Sequence, residues 1–509
     1  MQEFVNEAHR LPRPSRYLAD LRAGSARCEL RRGNLDAAAA LAERALEEDP
    51  FCGEAFLVRG HCKRETGDMG GALGDLVNAF VLRGSALNAD AAGGAAEEGG
   101  IGGGGAEAQA IEEVSRENCR EKAGEAFVLR PAPNALPADW VVRSFFASYD
   151  TKDLYAEQDS YSTALEHPPD GVARPPNDQV AAAFWEGICL VREGNYADSI
   201  DKFAAAALGT AAASGDDDDN GARIRSLALE YHGSFLYLLG DMDGSLEHLS
   251  RAAEVDATNA KSWVKKGSVL SDLGRREEAR GARGAFECFD AAEAIAPQDS
   301  DLYLHRQGHL LANDFGKAAA DLSRSVALCP TMPISRAAWG VALFKLATAD
   351  ELPSPSSLSR CLTVMEEARE RFPDNPEVLF FSAEVLISLG DFSKGLGYLK
   401  RSASLDPECP IPYVNAARAY LGMNDTKTAR RHLEKASELD SSYPGTCLDL
   451  GQLLMQEGSP AEALSMYARG VEKARFPSEL HDAMACLDVA EAHLAAQRLL
   501  YRSTIRRPF

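Results

Sequence analysis

The side chains that could carry catalytic chemistry are scattered through this sequence and form no known constellation. No GxSxG, HExxH or HRD motif and no CxxC pair occurs, and the histidines and cysteines stand singly in helical text. A phosphate-binding loop needs GxxxxGK[ST] after a strand, whereas the glycine cluster at 99–105 has neither the lysine nor the strand. We therefore expect no catalytic residue, no metal ligand and no cofactor.

The residue types that recur on the expected inner faces of the helices are those that bind peptides without covalent chemistry. Cationic, amide, carboxylate and aromatic side chains recognise an extended or helical ligand through ion pairs, hydrogen bonds and ring contacts. The candidates are His305, Arg306, His309, Phe381, Glu384, Asn415, Arg418, Asp449 and Gln452. For each of them a second interpretation stays open, namely that the side chain only bridges neighbouring helices.

Small residues at a fixed period identify the elements that hold these side chains. Ala26 and Gly60 lie 34 positions apart, and so do Gly233 and Gly267, while Ala383, Ala417 and Gly451 follow one another at the same spacing. Two further sets of small residues recur twelve and nineteen positions after the first: Ala38, Ala72, Ala279, Ala320, Ala429 and Ala463, then Ala45, Ala79, Ala252, Ala327 and Ala436. Closely packed helix pairs need Gly or Ala where they cross. The spacing is that of the tetratricopeptide repeat, so we predict an all-α superhelical solenoid.

Turn residues support the same arrangement. Gly-Asn or Gly-Asp pairs, such as Gly33-Asn34 and Gly240-Asp241, separate the first helix (A) of each pair from the second (B), because Gly adopts the left-handed conformation and Asn or Asp caps the next helix. Proline closes several units, as at Pro50 and Pro407. The pattern predicts about nine units from ten starts, because the first or last unit is expected to be partial; the starts lie near residues 19, 53, 180, 226, 260, 301, 333, 376, 410 and 444.

Composition divides the chain into two arrays. We predict repeats over 1–84, a Gly/Ala-rich flexible linker plus a helix over 85–135, a longer repeat array over 136–478, and a capping helix with a tail over 479–509. Trp140, Phe145, Phe146 and Tyr149 are expected to be buried packing residues at the start of the second array. Three insertions, at 215–221, 280–285 and 347–357, are expected to lengthen loops.

Charge and hydropathy limit the partners. The net charge of −23 disfavours nucleic acid, which requires clustered Lys and Arg, and favours basic peptides. No run of about 18 apolar residues occurs, so the chain as given is expected to reach a membrane only through a missing anchor or through partners. The 11 cysteines are expected to be reduced core residues.

Several stretches beyond the repeat consensus resemble one family. DWVVRSFFASYD, DLYLHRQGHLL and the final KARFPSELHDAMACLDVAEAH are similar, in order, to the seventy-kilodalton import receptors of the mitochondrial outer-membrane translocase. The resemblance extends from about Arg16 to about Arg502. It implies an amino-terminally anchored receptor on the cytosolic face of the outer membrane, which takes preproteins, carriers among them, from chaperones and works with other translocase subunits.

The resemblance has two departures. The anchor and most of a first repeat are missing, so we expect either the protein or its gene model to be shortened. The family holds the chaperone carboxylate with amide and cationic side chains. At the matching positions this chain has Gly24, Glu54 and Val58, so chaperone docking is doubtful.

Two functions follow as hypotheses. The first is a receptor for mitochondrial preproteins, carriers and internal or N-terminal targeting segments, in import across the outer membrane. The second is a soluble cytosolic scaffold or co-chaperone that assembles a protein complex. The expected location is the mitochondrial outer membrane, or the cytoplasm if the chain is complete as given.

Overall fold

A computed structural model of the chain describes residues 14–91, 102–128, 135–149, 179–208, 219–273, 284–306, 314–349 and 355–505. Within these ranges the chain forms helices and no strands, which confirms the all-α prediction. The helices before residue 210 are α1 Pro14–Arg31, α2 Leu35–Glu48, α3 Gly53–Glu65, α4 Met69–Ala91, α5 Gly102–Val128, α6 Asp139–Tyr149, α7 Gln179–Arg192 and α8 Tyr196–Leu208. None of the described helices combines the length and apolar character needed to cross a bilayer.

Helices α9 to α16 continue the pattern of alternating A and B helices. They are α9 Asp219–Leu238, α10 Met242–Val255, α11 Ala260–Asp272, α12 Ala285–Ile295, α13 Ser300–His305, α14 Phe315–Leu328, α15 Pro333–Ala347 and α16 Pro355–Arg371. The remainder are α17 Pro376–Ser388, α18 Phe392–Leu405, α19 Ile411–Gly422, α20 Thr426–Leu439, α21 Pro444–Gln456, α22 Pro460–Lys473 and α23 Pro477–Ile505. The described residues thus contain ten helix pairs, one for each of the ten predicted starts, plus the unpaired α5, α6 and α23.

Each pair packs where the sequence places its small residues. A Cβ on Gly60 would lie 3.0 Å from Leu76 Cγ, and one on Gly267 would lie 2.9 Å from Phe289 Cε1. Ala26, Ala383 and Ala417 are fully buried at the corresponding crossings. The A and B helices of a pair therefore approach so closely that a larger side chain at the crossing would collide with the partner helix.

The turns between paired helices have the predicted geometry. Gly33, Gly67, Gly194, Gly240, Gly390 and Asn424 all have positive φ, between 62° and 86°. Asp241, Asp391 and Asp425 each accept a hydrogen bond from the third backbone N–H of the helix that follows. Asn34 departs from the prediction, because its side chain makes no capping hydrogen bond and instead donates to Glu29 at 2.7 Å.

Helix α14 lies two residues out of the predicted register. Ala318 and Ser325 are buried in this helix, whereas the predicted Ala320 and Ala327 are exposed. The predicted spacing crosses residues 307–313, which the structure does not describe. Residues 274–283, with the predicted Ala279 and the first part of the insertion predicted at 280–285, also lie outside the described residues. The error is local, because the pairs that follow return to the predicted positions, with Ala383 and Ala417 buried.

The first compact unit combines the two ends of the chain, residues Met1–Arg130 and Pro444–Phe509. Helix α23 packs against α22 in a cluster with Tyr467 and Ala490, and against α4 and α5 in a cluster with Ile111 and Ala496. Ser115 Oγ donates to the Ala485 carbonyl at 2.7 Å, and Asn118 Nδ2 donates to Asp488 at 2.7 Å. Because α23 is buried on two sides, it holds α5 in this unit as well as covering the last pair.

The second compact unit is Pro131–Tyr443. The two units differ from the predicted domains in two places. Residues 444–478 belong to the first unit, because α21 and α22 pack with α23. The predicted linker contains the end of α4 and the whole of α5, a helix with Ile111, Val114 and Cys119 in the core, and only 92–101 and 129–134 of it lie outside the described residues.

Replacement of Gly451 tests the close crossing. A Cβ there would lie 2.3 Å from Tyr467 Cε1, so Gly451→Ala should lower the unfolding free energy by about 1–3 kcal/mol in chemical denaturation followed by circular dichroism. The matched control is Gly74→Ala in α4 of the same unit, where no atom lies within 4 Å of the added Cβ. That control should be neutral or stabilising by up to about 1 kcal/mol. Equal stabilities of the two variants would contradict the packing described.

Candidate peptide-binding groove

Helix α6 lies against the A helices of the second unit. Phe146 is buried, and its ring lies 5.7 Å from the ring of Tyr231 and 5.0 Å from that of Phe235, both on α9. Phe145 stacks on Tyr237 at 5.6 Å, and the Tyr237 hydroxyl donates to Asp272 at the end of α11. The carboxyl-terminal half of α6 is therefore held by aromatic side chains of α9 with support from α11.

The amino-terminal half of α6 reaches acidic residues much further along the chain. Trp140 Nε1 donates to Asp440 Oδ2 at 3.0 Å, and the Trp140 ring lies 5.8 Å from that of Tyr443. Arg143 forms ion pairs with Asp406 at 3.5 Å and with Glu408 at 3.7 Å. One eleven-residue helix thus contacts segments that lie from α9 to the turn after α20.

A buried ion pair lies under the aromatic end of α6. Lys265 Nζ is 2.9 Å from Glu230 Oε1, and the two side chains are 3% and 2% exposed. Asn259 donates to the other carboxylate oxygen at 3.0 Å, while Lys265 Nζ lies 5.9 Å from the centre of the Phe146 ring. Partners on three sides compensate these charges, so the pair joins α9, α11 and α6.

His305 joins α13 to α6 instead of facing open groove. Its Nε2 donates to the Ser148 carbonyl at 2.7 Å, which requires the proton on that nitrogen. The side chain is buried, and burial lowers the pKa of His305 to about 4, with the Ser148 carbonyl opposing the shift and Lys265 adding to it. His305 was a candidate ligand contact, and the structure assigns it to the second interpretation, a bridge between elements.

Arg306 is also committed to internal partners. Its guanidinium lies 2.5 Å from Glu293 and 3.5 Å from Asp321, and the longer contact is Coulombic because its hydrogen-bond geometry is poor. Burial raises the pKa of Asp321 to about 6 despite the nearby Arg306. Replacement of Arg306 would leave a carboxylate in a half-buried site, so it is a poor probe of ligand binding. His309 lies outside the described residues.

The later A helices of the unit bring three charged side chains close together. Burial raises the pKa of Glu384 on α17, and the cations Lys345 of α15 and Arg418 of α19 oppose that rise. Arg418 Nη1 donates to Asn415 Oδ1 at 3.4 Å, and the Arg418 side chain is exposed. Phe381 instead packs between α15 and α16 beside Ala337 and Ala368. Glu384, Asn415 and Arg418 are the candidates whose charged or polar atoms the structure brings together.

The last two candidates lie in the first compact unit. Asp449 and Gln452 are both on α21, where Asp449 is 8% exposed and Gln452 is exposed. The division between units at Tyr443 separates them from the candidates on α17 and α19. The sequence pattern grouped all of these residues because it follows the repeat period and carries no information on how the chain is divided.

Helix α6 is the element that sequence reasoning placed correctly but interpreted incompletely. Trp140, Phe145, Phe146 and Tyr149 were predicted to be packing residues. Phe146 is buried, Phe145 and Trp140 are partly buried, and the side chain of Tyr149 lies outside the described part of the structure. Its contacts with Asp440 and Asp406 were missed, because they span about 300 residues and no local periodicity encodes them. A usable signal was the isolated Trp-x-x-Arg-x-Phe-Phe cluster outside any 34-residue unit.

The positions that would form a chaperone carboxylate clamp lie on α1 and α3. The space beside Gly24 is open, with no atom within 4 Å of a Cβ built there. Glu54 forms an ion pair with Arg27 at 2.7 Å, and Val58 is buried in a cluster with Ala55 and Cys62. These three residues supply one carboxylate and no hydrogen-bond donor side chain.

Comparison with known proteins agrees with this architecture. Two stretches, 25–92 and 420–487, match the tetratricopeptide repeat family. The crystal structure of yeast Tom70 superposes with a TM-score of 0.54 over 96% of this chain and 92% of that chain, at 18% identity. The chain contains tetratricopeptide repeats and is similar to Tom70.

Curated relatives of the same name show the similarity in sequence. The mitochondrial import receptor subunit TOM70 of Saccharomyces cerevisiae is 24% identical over 284 residues, which are 54% of this chain and 43% of that protein. The human subunit is 21% identical over 379 residues, 73% of this chain and 59% of that protein. The chain therefore spans about half the length of these relatives.

The depressed pKa of His305 predicts acid sensitivity of the second unit. The folded state lowers this pKa from 6.5 to about 4, so between these values the unfolded chain binds the proton and the folded chain does not. The contribution of His305 to the unfolding free energy is fully present above pH 6.5. Below that pH it should fall by about 1.4 kcal/mol per pH unit. His305→Gln keeps a donor for the Ser148 carbonyl. It should reduce by one the number of protons that the chain binds on unfolding, and so reduce the slope of the unfolding free energy with pH.

Denaturant titrations at pH 7, 6, 5 and 4.5 measure that slope. Burial also lowers the pKa of His232 to about 4, so a residual slope should remain in the His305→Gln protein. The variant His232→Gln, measured in the same way, gives the part of the slope that comes from His232. An unchanged slope after His305→Gln would show that His305 is not held neutral in the folded protein.

Proposed function

We propose that this protein is a receptor for mitochondrial preproteins and that it binds them in the groove of the second unit. The observation that carries the proposal is that this unit already binds an amphipathic aromatic helix, α6. One side of α6 packs on the A helix α9, and the other side contacts an acidic rim formed by Asp406, Glu408 and Asp440. Similarity to proteins named as import receptor subunits supports the same function.

The chemistry of the groove suits targeting segments of preproteins. A basic amphipathic helix can place apolar side chains against Tyr231 and Phe235 and its cations near the acidic rim, as Phe146 and Arg143 of α6 do. The net charge of −23 assists the approach of a basic segment, over distances limited to about an 8 Å Debye length. Carriers and internal or N-terminal targeting segments are the proposed substrates.

We place the protein at the cytosolic face of the mitochondrial outer membrane, beside the other translocase subunits. The similarity to the import receptor subunits supports this location. A scaffold that assembles another protein complex would use the same repeats but would not bind targeting segments, so direct binding separates the two functions.

Binding of a labelled carrier segment to the purified protein tests the proposed function. Arg418→Ala should raise the Kd of the carrier segment about fivefold in fluorescence anisotropy, because it removes an exposed guanidinium that can donate hydrogen bonds to carbonyl groups of the segment. The control is Arg431→Ala on the B helix α20, an exposed arginine that should leave Kd unchanged. Absence of saturable binding by the wild-type protein to both a carrier segment and a basic presequence would favour the scaffold function.

Chaperone docking through the carboxylate clamp should be absent. Because Gly24, Glu54 and Val58 supply no donor, a labelled peptide from a chaperone carboxyl terminus should not bind at micromolar concentration. Glu54→Lys alone should not restore binding, since the other donors are still missing. Micromolar binding of that peptide to the wild-type protein would overturn this expectation, while leaving the carrier experiment unaffected.

A further inference from the structure

We infer that α6 is an internal ligand of the groove and that a preprotein segment must displace it to bind. The contacts of α6 have the character of a peptide complex. One face inserts aromatic rings between side chains of α9, and the exposed side carries a cation that pairs across the groove with two carboxylates. The inference rests on the proposed function for the identity of the natural ligand, but it can be tested without one.

The first support comes from how α6 is held. Among the described residues, its amino-terminal half is held by one hydrogen bond from Trp140, one ring contact with Tyr443, the two ion pairs of Arg143 and the buried side chain of Val142. Arg143 is 51% exposed and its ion pairs are 3.5 and 3.7 Å long, so solvent weakens both of them. This end of the helix can leave its site without disturbing the crossing of any A and B pair.

The second support is what α6 covers. The Glu230–Lys265 pair is almost fully buried, and Phe146 forms part of its cover. Burial of an ion pair carries a desolvation cost, which is recovered when the cover leaves and water returns. The desolvation cost of the ion pair thus offsets part of the free energy gained by burying Phe146. The net free energy that holds α6 is smaller for this reason, as a segment that must be released requires. The exposed pair would then offer a carboxylate and an ammonium group to polar atoms of an incoming ligand.

The third support is the bond at the other end. His305 donates to the Ser148 carbonyl at 2.7 Å, which fixes the last turn of α6 to α13. The other groups near His305 are Lys265, Lys261 and Asp299. Because the bond at the carboxyl-terminal end is buried and the ion pairs of Arg143 at the amino-terminal end are exposed to solvent, the amino-terminal end is the one that we expect to open first.

A synthetic peptide of residues 135–149 added in trans tests the inference. The peptide competes with the protein's own α6 for the groove. As long as α6 occupies the groove in most molecules, a change that weakens the binding of α6 by some factor should strengthen binding of the peptide by the same factor. The protein variant Trp140→Ala/Arg143→Glu loses the Asp440 bond and repels Asp406 and Glu408 in its own α6, while the groove that receives the peptide is unaltered. It should bind the labelled wild-type peptide at least fivefold more tightly than the wild-type protein does.

Two controls accompany this measurement. Arg401→Glu reverses the charge of another arginine of the second unit that is 51% exposed and ion-paired, with Asp374, but does not contact α6, and it should not change peptide affinity. The peptide with the same two substitutions should bind neither protein. If the double variant does not fold, Arg143→Gln, which keeps every aromatic contact, should still raise affinity at least twofold.

Equal affinity of the wild-type protein and a folded variant for the peptide would overturn the inference, and α6 would then be a permanent structural element. Equally tight binding of the peptide that carries the two substitutions would also overturn the inference. A carrier segment that fails to bind while the α6 peptide binds as expected would refute the proposed function and leave the internal ligand in place. If the carrier segment binds and the α6 peptide does not, the proposed function stands and the inference that α6 is an internal ligand is wrong.

Discussion

Close contact between the two helices of each pair is the constraint on which this structure depends. Gly60 touches Leu76, Gly267 touches Phe289 and Gly451 touches Tyr467, and no side chain larger than hydrogen fits at these positions without movement of the partner. Because the pairs repeat every 34 residues or so, their A helices are placed side by side, and the side chains on those helices form a continuous surface. The groove of the second unit exists because the crossings are this tight.

The repeat period allowed most of the fold to be predicted, and its limits explain what could not be. Buried alanines at 38, 72, 429 and 463 and the positive φ of Gly33 and Gly390 follow from spacing and turn chemistry, which are local properties. The predicted register of α14 was wrong by two residues, because an alanine-rich helix offers small residues in more than one register. The packing of α23 on α5 was not predicted, since it joins residues about 370 positions apart.

The candidate site was predicted less well than the fold, for a related reason. A repeat pattern tells which residues lie on an A helix but not what occupies the space in front of them. His305 and Arg306 were sensible candidates by position, yet Ser148 and Glu293 already bind them. Glu384 and Arg418 lie near each other on neighbouring A helices, and Arg418 is exposed. The occupant α6 comes from outside the repeats, so only long-range contacts could reveal it.

The buried Glu230–Lys265 pair links the fold to the proposed function, because α9 and α11 hold the two charges together while a covering helix shields them from water. The most direct measurement is hydrogen–deuterium exchange of the wild-type protein with and without a saturating carrier segment. Binding in the groove predicts faster exchange of amides 139–149 and slower exchange in α9 and α11. Protection confined to other helices, with no change in α6, would contradict the account.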